Sequence, residues 1–208
     1  MHRRTLFTFV PLVALVLGAA SCKKSETATA ASTTAPAPAK APVALNHALM
    51  QTDKGTIEIE LLSNVAPRTV ENFRLLAQRD YYNGIIFHRI IKGFMIQGGD
   101  PLGNGRGGQS AWGGEFEDEI EKTSPLYRGG YKRGQVAMAN SGKNTNTSQF
   151  FIVHKDYPLP PNYTIFGQVT KGLEVVDAIA ETPVQMGPDG NKSSPVTPPK
   201  ILKITLTP

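Results

Sequence analysis

Residues 87–100 read FHRIIKGFMIQGGD, and this stretch decides how the rest of the chain is read. It opens apolar with one His and one Arg inside it, His88 and Arg89, then breaks at Lys92-Gly93. It resumes as Phe94-Met95-Ile96-Gln97 and stops at Gly98-Gly99-Asp100-Pro101. Two short β-rich runs around a Gly-containing turn predict an antiparallel strand pair. Arg89 and Gln97 are costly to bury in such strands unless something pairs with them. Either the fold satisfies them internally or they face a site.

Working outward, strict alternation in Thr56–Leu61 predicts a strand with Ile57, Ile59 and Leu61 inward and Glu58 and Glu60 on a solvated face. His47–Thr52 precedes it as a strand, with hairpin chemistry at Asp53-Lys54-Gly55. Asn64 is positioned to cap a helix with Pro67 in its first turn and Val70, Phe73, Leu76 and Ala77 on its packing face. Residues 101–133 are Gly-rich and irregular. Gln135–Ala139, Gln149–Val153, Tyr163–Val169 and Lys200–Thr207 read as strands, Gly172–Ala180 as a second helix, and Thr182–Pro199 as a Pro/Gly loop. Many short strands with only two helices suggest an antiparallel barrel or sandwich.

Several chemistries find no support. Gly103–Gly108 lacks both the Lys-Ser/Thr and the following helix of a phosphate loop. The acids Glu115 and Glu117–Glu119 lack calcium-loop spacing, and a solvated acidic turn is the better reading. Four His are scattered without metal spacing, Gly108–Trp112 lacks the second Gly of a nucleophile elbow, and there is one Cys. No metal is expected. The formal net charge is +5, falling to +3 without Arg3 and Arg4, too weak to argue for nucleic acid. What remains is neutral amides, one Arg and several Phe and Met side chains on strands. Such a set could hold an extended apolar peptide and present one fixed positive charge to it.

The 208 residues suit one domain plus appendages. A basic start, Met1–Arg4, precedes an apolar run, Leu6–Ala20, that is too short for a comfortable membrane span and has the layout of an export signal. Residues 1–21 are therefore expected to be a signal peptide. The run ends Ala19-Ala20-Ser21-Cys22, which resembles the lipobox of bacterial lipoproteins, although Ala19 stands where that motif usually has a large aliphatic residue. An ordinary secretory signal cut nearby is the alternative. On the lipoprotein reading Cys22 is lipidated and anchors the chain to a membrane of the bacterial cell envelope, on the periplasmic side in a Gram-negative cell. Residues 22–43, poor in large apolar side chains, read as a disordered Ala/Thr/Pro tether, and residues 44–208 as the folded domain.

FHRIIKGFMIQGGDP, with MANSG at Met138–Gly142, NTNTSQFFI at Asn144–Ile152 and IFGQV at Ile165–Val169, resembles the cyclophilins, which are peptidyl-prolyl cis–trans isomerases. The resemblance runs from about Ala48 to Leu206. It implies a mainly β fold, a closed eight-stranded antiparallel barrel capped by two helices. It also implies a monomer that acts on proline-containing polypeptides without a cofactor. Arg89 matches the catalytic arginine, with Gln97 and Phe94 beside it. Phe94, Met95, Phe151 and Leu159 match the pocket for the proline ring, and Gln97 matches an amide that contacts substrate backbone. Ala139 and Asn140 match the neighbouring groove, and His88 and Gln149 match further walls. The chain departs from the pattern at Pro158, where many members have Trp, and at Tyr163, where they have His. Since that Trp is a major cyclosporin contact in the family, weak cyclosporin sensitivity is expected. A non-catalytic peptide-binding module or chaperone using the same groove is the competing reading.

Overall fold

The computed structural model describes residues 45–208. The expectations for Arg3, Arg4, the apolar leader, Cys22 and the tether lie outside the described residues. Among the described residues there are ten strands, two α-helices and one short 3-10 helix at Pro125–Tyr127. In chain order the strands and α-helices are β1 (His47–Thr52), β2 (Gly55–Leu61), α1 (Pro67–Gln78), β3 (Arg89–Ile91), β4 (Met95–Gly98), β5 (Gln135–Met138) and β6 (Phe150–Val153). These are followed by β7 (Ile165–Lys171), α2 (Leu173–Ala180), β8 (Val184–Met186), β9 (Lys192–Pro195) and β10 (Ile201–Thr207).

Eight strands form one antiparallel sheet in the order β10-β1-β2-β7-β5-β6-β4-β3. The expected closed barrel is corrected here: β10 and β3 do not pair as strands, and the sheet is open and curled. The two edges touch only through an Ile86–Lys200 bridge and loop bonds such as Phe87 N–H to Pro199 O, 2.8 Å. Pro198 and Pro199 explain the gap, because proline has no N–H to extend a ladder toward β3.

Inside the curl, Ile57, Ile59 and Leu61 of β2 pack with Met50, Ile96, Phe150, Ile152 and Phe166. Both helices bury their apolar faces in the same core, through Val70, Phe73 and Leu76 from α1 and Val176 and Ile179 from α2. A second apolar cluster lies on the opposite face: Met95, Tyr127, Tyr131, Ala137, Phe151, Val153 and Ile165. The period-two rule separates adjacent side chains, sending Phe150 to the main core and Phe151 to the outer cluster. That outer cluster is the floor of the site.

Two local expectations change. Asn64 does not cap α1, whose N-cap position is Ala66 with no side-chain bond of its own. The cap comes from Glu119, whose carboxylate accepts the N–H of Arg68 at 3.1 Å and of Thr69 at 2.7 Å, plus the Thr69 hydroxyl at 2.8 Å. The acidic stretch is therefore a structural clasp as well as a solvated turn. Asp118 adds to it by accepting from Asn146 Nδ2 (2.8 Å) and from the N–H of Asn144 (3.0 Å). The second change is that Thr182–Pro199 is not merely a loop, since it carries the β8–β9 hairpin.

Candidate active site

The β3–β4 pair sets the first half of the site. Its register places Arg89 opposite Gln97, and β4 in turn places Gln97 opposite Phe151 of β6. Three expected residues therefore line up across adjacent strands. Arg89 Nη1 lies 3.5 Å from Gln97 Oε1 and 3.8 Å from Met95 Sδ. Gln97 Nε2 donates to Gln149 Oε1 at 3.0 Å, and Gln149 Nε2 donates to Gly107 O at 2.8 Å. Each amide thus accepts at one end and donates at the other, which fixes the direction of the row. The row satisfies the polar groups that the apolar strands could not otherwise carry.

The apolar half is built from Phe151, 4% exposed, and Met95, 1% exposed, with Phe94, Leu159 and Tyr163 packed around them. Phe151 meets the Tyr163 ring edge-on at 5.5 Å and the Phe94 ring at 6.4 Å. Tyr131 locks the rim: its hydroxyl donates to Tyr163 O (2.8 Å) and accepts the Tyr163 N–H (2.9 Å). Burial pushes the Tyr131 hydroxyl far above its ordinary pKa, so it stays a neutral donor. Asn140 donates from Nδ2 to Asn162 O at 2.9 Å, and the Ala139 N–H donates to Gln149 O, just ahead of β6, at 2.9 Å. Gln97, Ala139, Asn140 and Gln149 share a cleft of about 240 Å³ with the Gly105–Gly108 loop.

His88 stands apart from that cleft. Both its ring nitrogens are buried without a hydrogen-bond partner among the described residues. Burial lowers its pKa; Asp100 opposes this and Arg89 reinforces it. The ring is held toward its neutral form, beside Arg89 in an adjoining cleft that Gln97, Gly105 and Arg106 share with the first. Asp100 shapes the wall there: burial raises its pKa, but backbone N–H groups, among them those of Leu102 and Gly105, outweigh that and leave it lowered.

Two residues beside the site were not anticipated. Tyr157 stacks on Phe94 with ring centroids 4.3 Å apart, next to Pro158 where the family pattern has Trp. Asp189, in the β8–β9 turn, accepts from Arg89 Nε at 2.8 Å. Tyr157 could have been suspected from its place two residues before Leu159. Asp189 gave no usable signal, because its partner is one hundred positions away.

The arrangement is a curled antiparallel sheet bearing an apolar cluster with one guanidinium and a row of amides at its edge. Among the described residues no group of His, Cys, Asp or Glu is placed to hold a metal ion. The family described as Cyclophilin type peptidyl-prolyl cis-trans isomerase/CLD matches residues 47–206. Peptidyl-prolyl cis-trans isomerase-like 3 of Gallus gallus is 52% identical over 136 residues, covering 65% of this chain and 82% of that protein. The Homo sapiens protein of the same name is likewise 52% identical with the same coverage. A crystal structure of a cyclophilin type peptidyl-prolyl cis-trans isomerase from Cryptosporidium parvum superposes with a TM-score of 0.70 at 35% identity. It covers 78% of this chain and 98% of its own. A second structure of that protein, 34% identical with a TM-score of 0.70 and covering 78% of this chain and 99% of its own, was determined in the presence of the dipeptide Ala-Pro.

The chain belongs to the cyclophilin-type peptidyl-prolyl cis–trans isomerases. Its activity is rotation about the peptide bond that precedes proline.

Proposed function

We propose that Arg89 is the catalytic residue and that the pocket of Phe94, Met95, Phe151, Leu159 and Tyr163 holds the proline ring of a polypeptide substrate. The observation that carries this is the guanidinium beside the apolar cluster, 3.8 Å from Met95 Sδ and 3.5 Å from Gln97 in a row of oriented amides. The dipeptide Ala-Pro used with the Cryptosporidium parvum relative is consistent with such an occupant.

An X–Pro bond is held planar by delocalisation of the nitrogen lone pair. Twisting it pyramidalises the nitrogen and localises that pair. A guanidinium donor bonds the twisted state better than the planar one and so favours it selectively. Bringing a process of roughly 10–100 s to milliseconds takes about 10⁴–10⁵-fold, or roughly 5.5–7 kcal/mol. One preorganised donor contributes about 3–4 kcal/mol. The remainder comes from gripping the ring so that only the preceding side rotates. Gln97, Asn140 and Ala139 bind substrate backbone, while Gln149 and His88 support the wall. No proton transfer or cofactor enters.

The test is a protease-coupled assay on an Ala-Pro peptide. Arg89→Ala should lower kcat/KM by about 10²-fold with the fold intact. Full activity in that variant would sink this assignment.

The same proposal extends to cellular setting. Residues 1–21 direct export, Cys22 is acylated, and residues 22–43 tether a monomeric domain at 44–208 to an envelope membrane. The substrates are then exported proteins. Its support is the leader and lipobox-like sequence Ala19-Ala20-Ser21-Cys22 alone.

A further inference from the structure

The β8–β9 hairpin lines the Arg89 cleft with Pro188, Asp189, Ser193 and Ser194, and Asp189 bonds the guanidinium directly. Asp189 Oδ2 accepts from Arg89 Nε at 2.8 Å, with the two side chains 25% and 29% exposed. An exposed ion pair of this kind is ordinarily worth little. This carboxylate differs because its other oxygen is already committed. Oδ1 accepts the Ser193 hydroxyl at 2.6 Å and the Asn191 N–H at 3.1 Å, and the Asn191 side chain donates to Asp189 O at 3.2 Å. Ser193 itself is 2% exposed. The turn is packed closely around this arrangement: a Cβ on Gly187 would lie 2.5 Å from Ser193 Oγ and 2.9 Å from Asp189 Oδ1. The hairpin therefore presents one free carboxylate oxygen in a fixed place. Burial tends to raise the Asp189 pKa, but the Ser193, Arg89 and Asn191 bonds outweigh it and keep the group ionised.

We propose that Asp189 is a positioning residue for the isomerase reaction, orienting the Arg89 guanidinium through Nε so that its Nη edge faces the bound X–Pro bond. This rests on the reading of Arg89 as catalytic. An arginine side chain has many rotamers, and a donor that must be ordered during the reaction contributes less than one ordered beforehand. Asp189 fixes the guanidinium at Nε while Gln97 meets it at Nη1. The two contacts together define both the position of the group and the plane in which its remaining N–H bonds lie. The carboxylate touches no reacting atom and acts only through Arg89.

The experiment compares wild type, Asp189→Asn, Ser193→Ala, Arg89→Ala and the Arg89→Ala/Asp189→Asn double variant, each checked for an unchanged melting transition. kcat and KM are measured on an Ala-Pro tetrapeptide, with peptide Kd from a separate NMR titration. Asp189→Asn should lower kcat about fivefold while Kd stays within about twofold, because orientation matters most in the twisted state. Ser193→Ala should lower kcat less, in the same direction. In the Arg89→Ala background Asp189→Asn should change nothing further. An Asp189→Asn enzyme with unchanged or raised kcat, alongside a disabled Arg89→Ala, would overturn the role of Asp189 and leave Arg89 standing. An active Arg89→Ala would overturn both.

Discussion

Arg89 and Gln97 are the two polar side chains that an apolar strand pair could not carry unaided, and the structure gives each a partner. Gln97 passes its donor to Gln149, which passes its own to Gly107 O. His154 is a comparable case away from the groove. It is 3% exposed; its Nδ1 accepts the Gly93 N–H at 2.9 Å, and Nε2 lies 3.1 Å from Asp177 Oδ1. The first bond requires an unprotonated Nδ1, which pins the turn that leads into Phe94. Burial lowers the pKa of His154, with Asp177 opposing, and burial likewise lowers that of His88. Unfolded, each histidine binds its proton near pH 6.5; folded, each does so only at lower pH. Below about pH 6.5 the unfolded chain holds more protons, so stability is full above that value and declines as pH falls through the window. Thermal melts at about pH 7.5 and 5.5 should show a lower Tm at acid pH, with a smaller difference in His154→Gln. A wild-type Tm indifferent to this change would refute the account. At this scale the sequence was readable wherever a polar residue interrupted an apolar strand. It was silent for Asp189, an ordinary turn residue until the fold brings it to Arg89.

At the scale of elements, periodicity located strands and helices well and their partners poorly. The alternation of β2 and the helical spacing of α1 are local properties that any fold must respect. The source of the α1 cap is not local. Asn64 had the right chemistry in the right neighbourhood, yet Glu119, fifty positions on, occupies the helix end. Its carboxylate offers two acceptors and a full negative charge to the positive end of the helix, a stronger match than one neutral amide. Glu119→Ala should cost about 1–2 kcal/mol in urea unfolding, and Asn64→Ala a few tenths at most. Equal losses would refute the assignment. The β8–β9 hairpin escaped the sequence for a related reason. Its strands are three and four residues long, and only Ser193 and Pro195 are buried, so no apolar alternation marks it.

For the molecule as a whole, the eight-stranded sheet stays open because short β3 and β10 do not pair, and the segments beside them, with Pro198 and Pro199 ahead of β10, touch through one bridge and loop hydrogen bonds. The site sits on the outer face of the curl, over a second apolar cluster rather than inside the main core. That placement leaves the groove accessible to an extended chain. On the anchoring proposed above, acyl groups on Cys22 add membrane affinity at about 0.8 kcal/mol per buried CH₂. Cys22→Ser should then move the protein from the membrane to the soluble fraction and abolish radiolabelled palmitate incorporation, with isomerase activity unchanged. Labelling that persists in the variant would exclude Cys22 as the acceptor. By itself the sequence determined the family, both helices and the eight strands of the main sheet, because these depend on periodicity and on short contiguous motifs. Only the tertiary structure decided that the sheet is open, that Glu119 caps α1 and that Asp189 holds Arg89. Each of those depends on groups brought together across at least fifty residues of chain, or on a hydrogen-bond donor that proline lacks, and no local pattern records either.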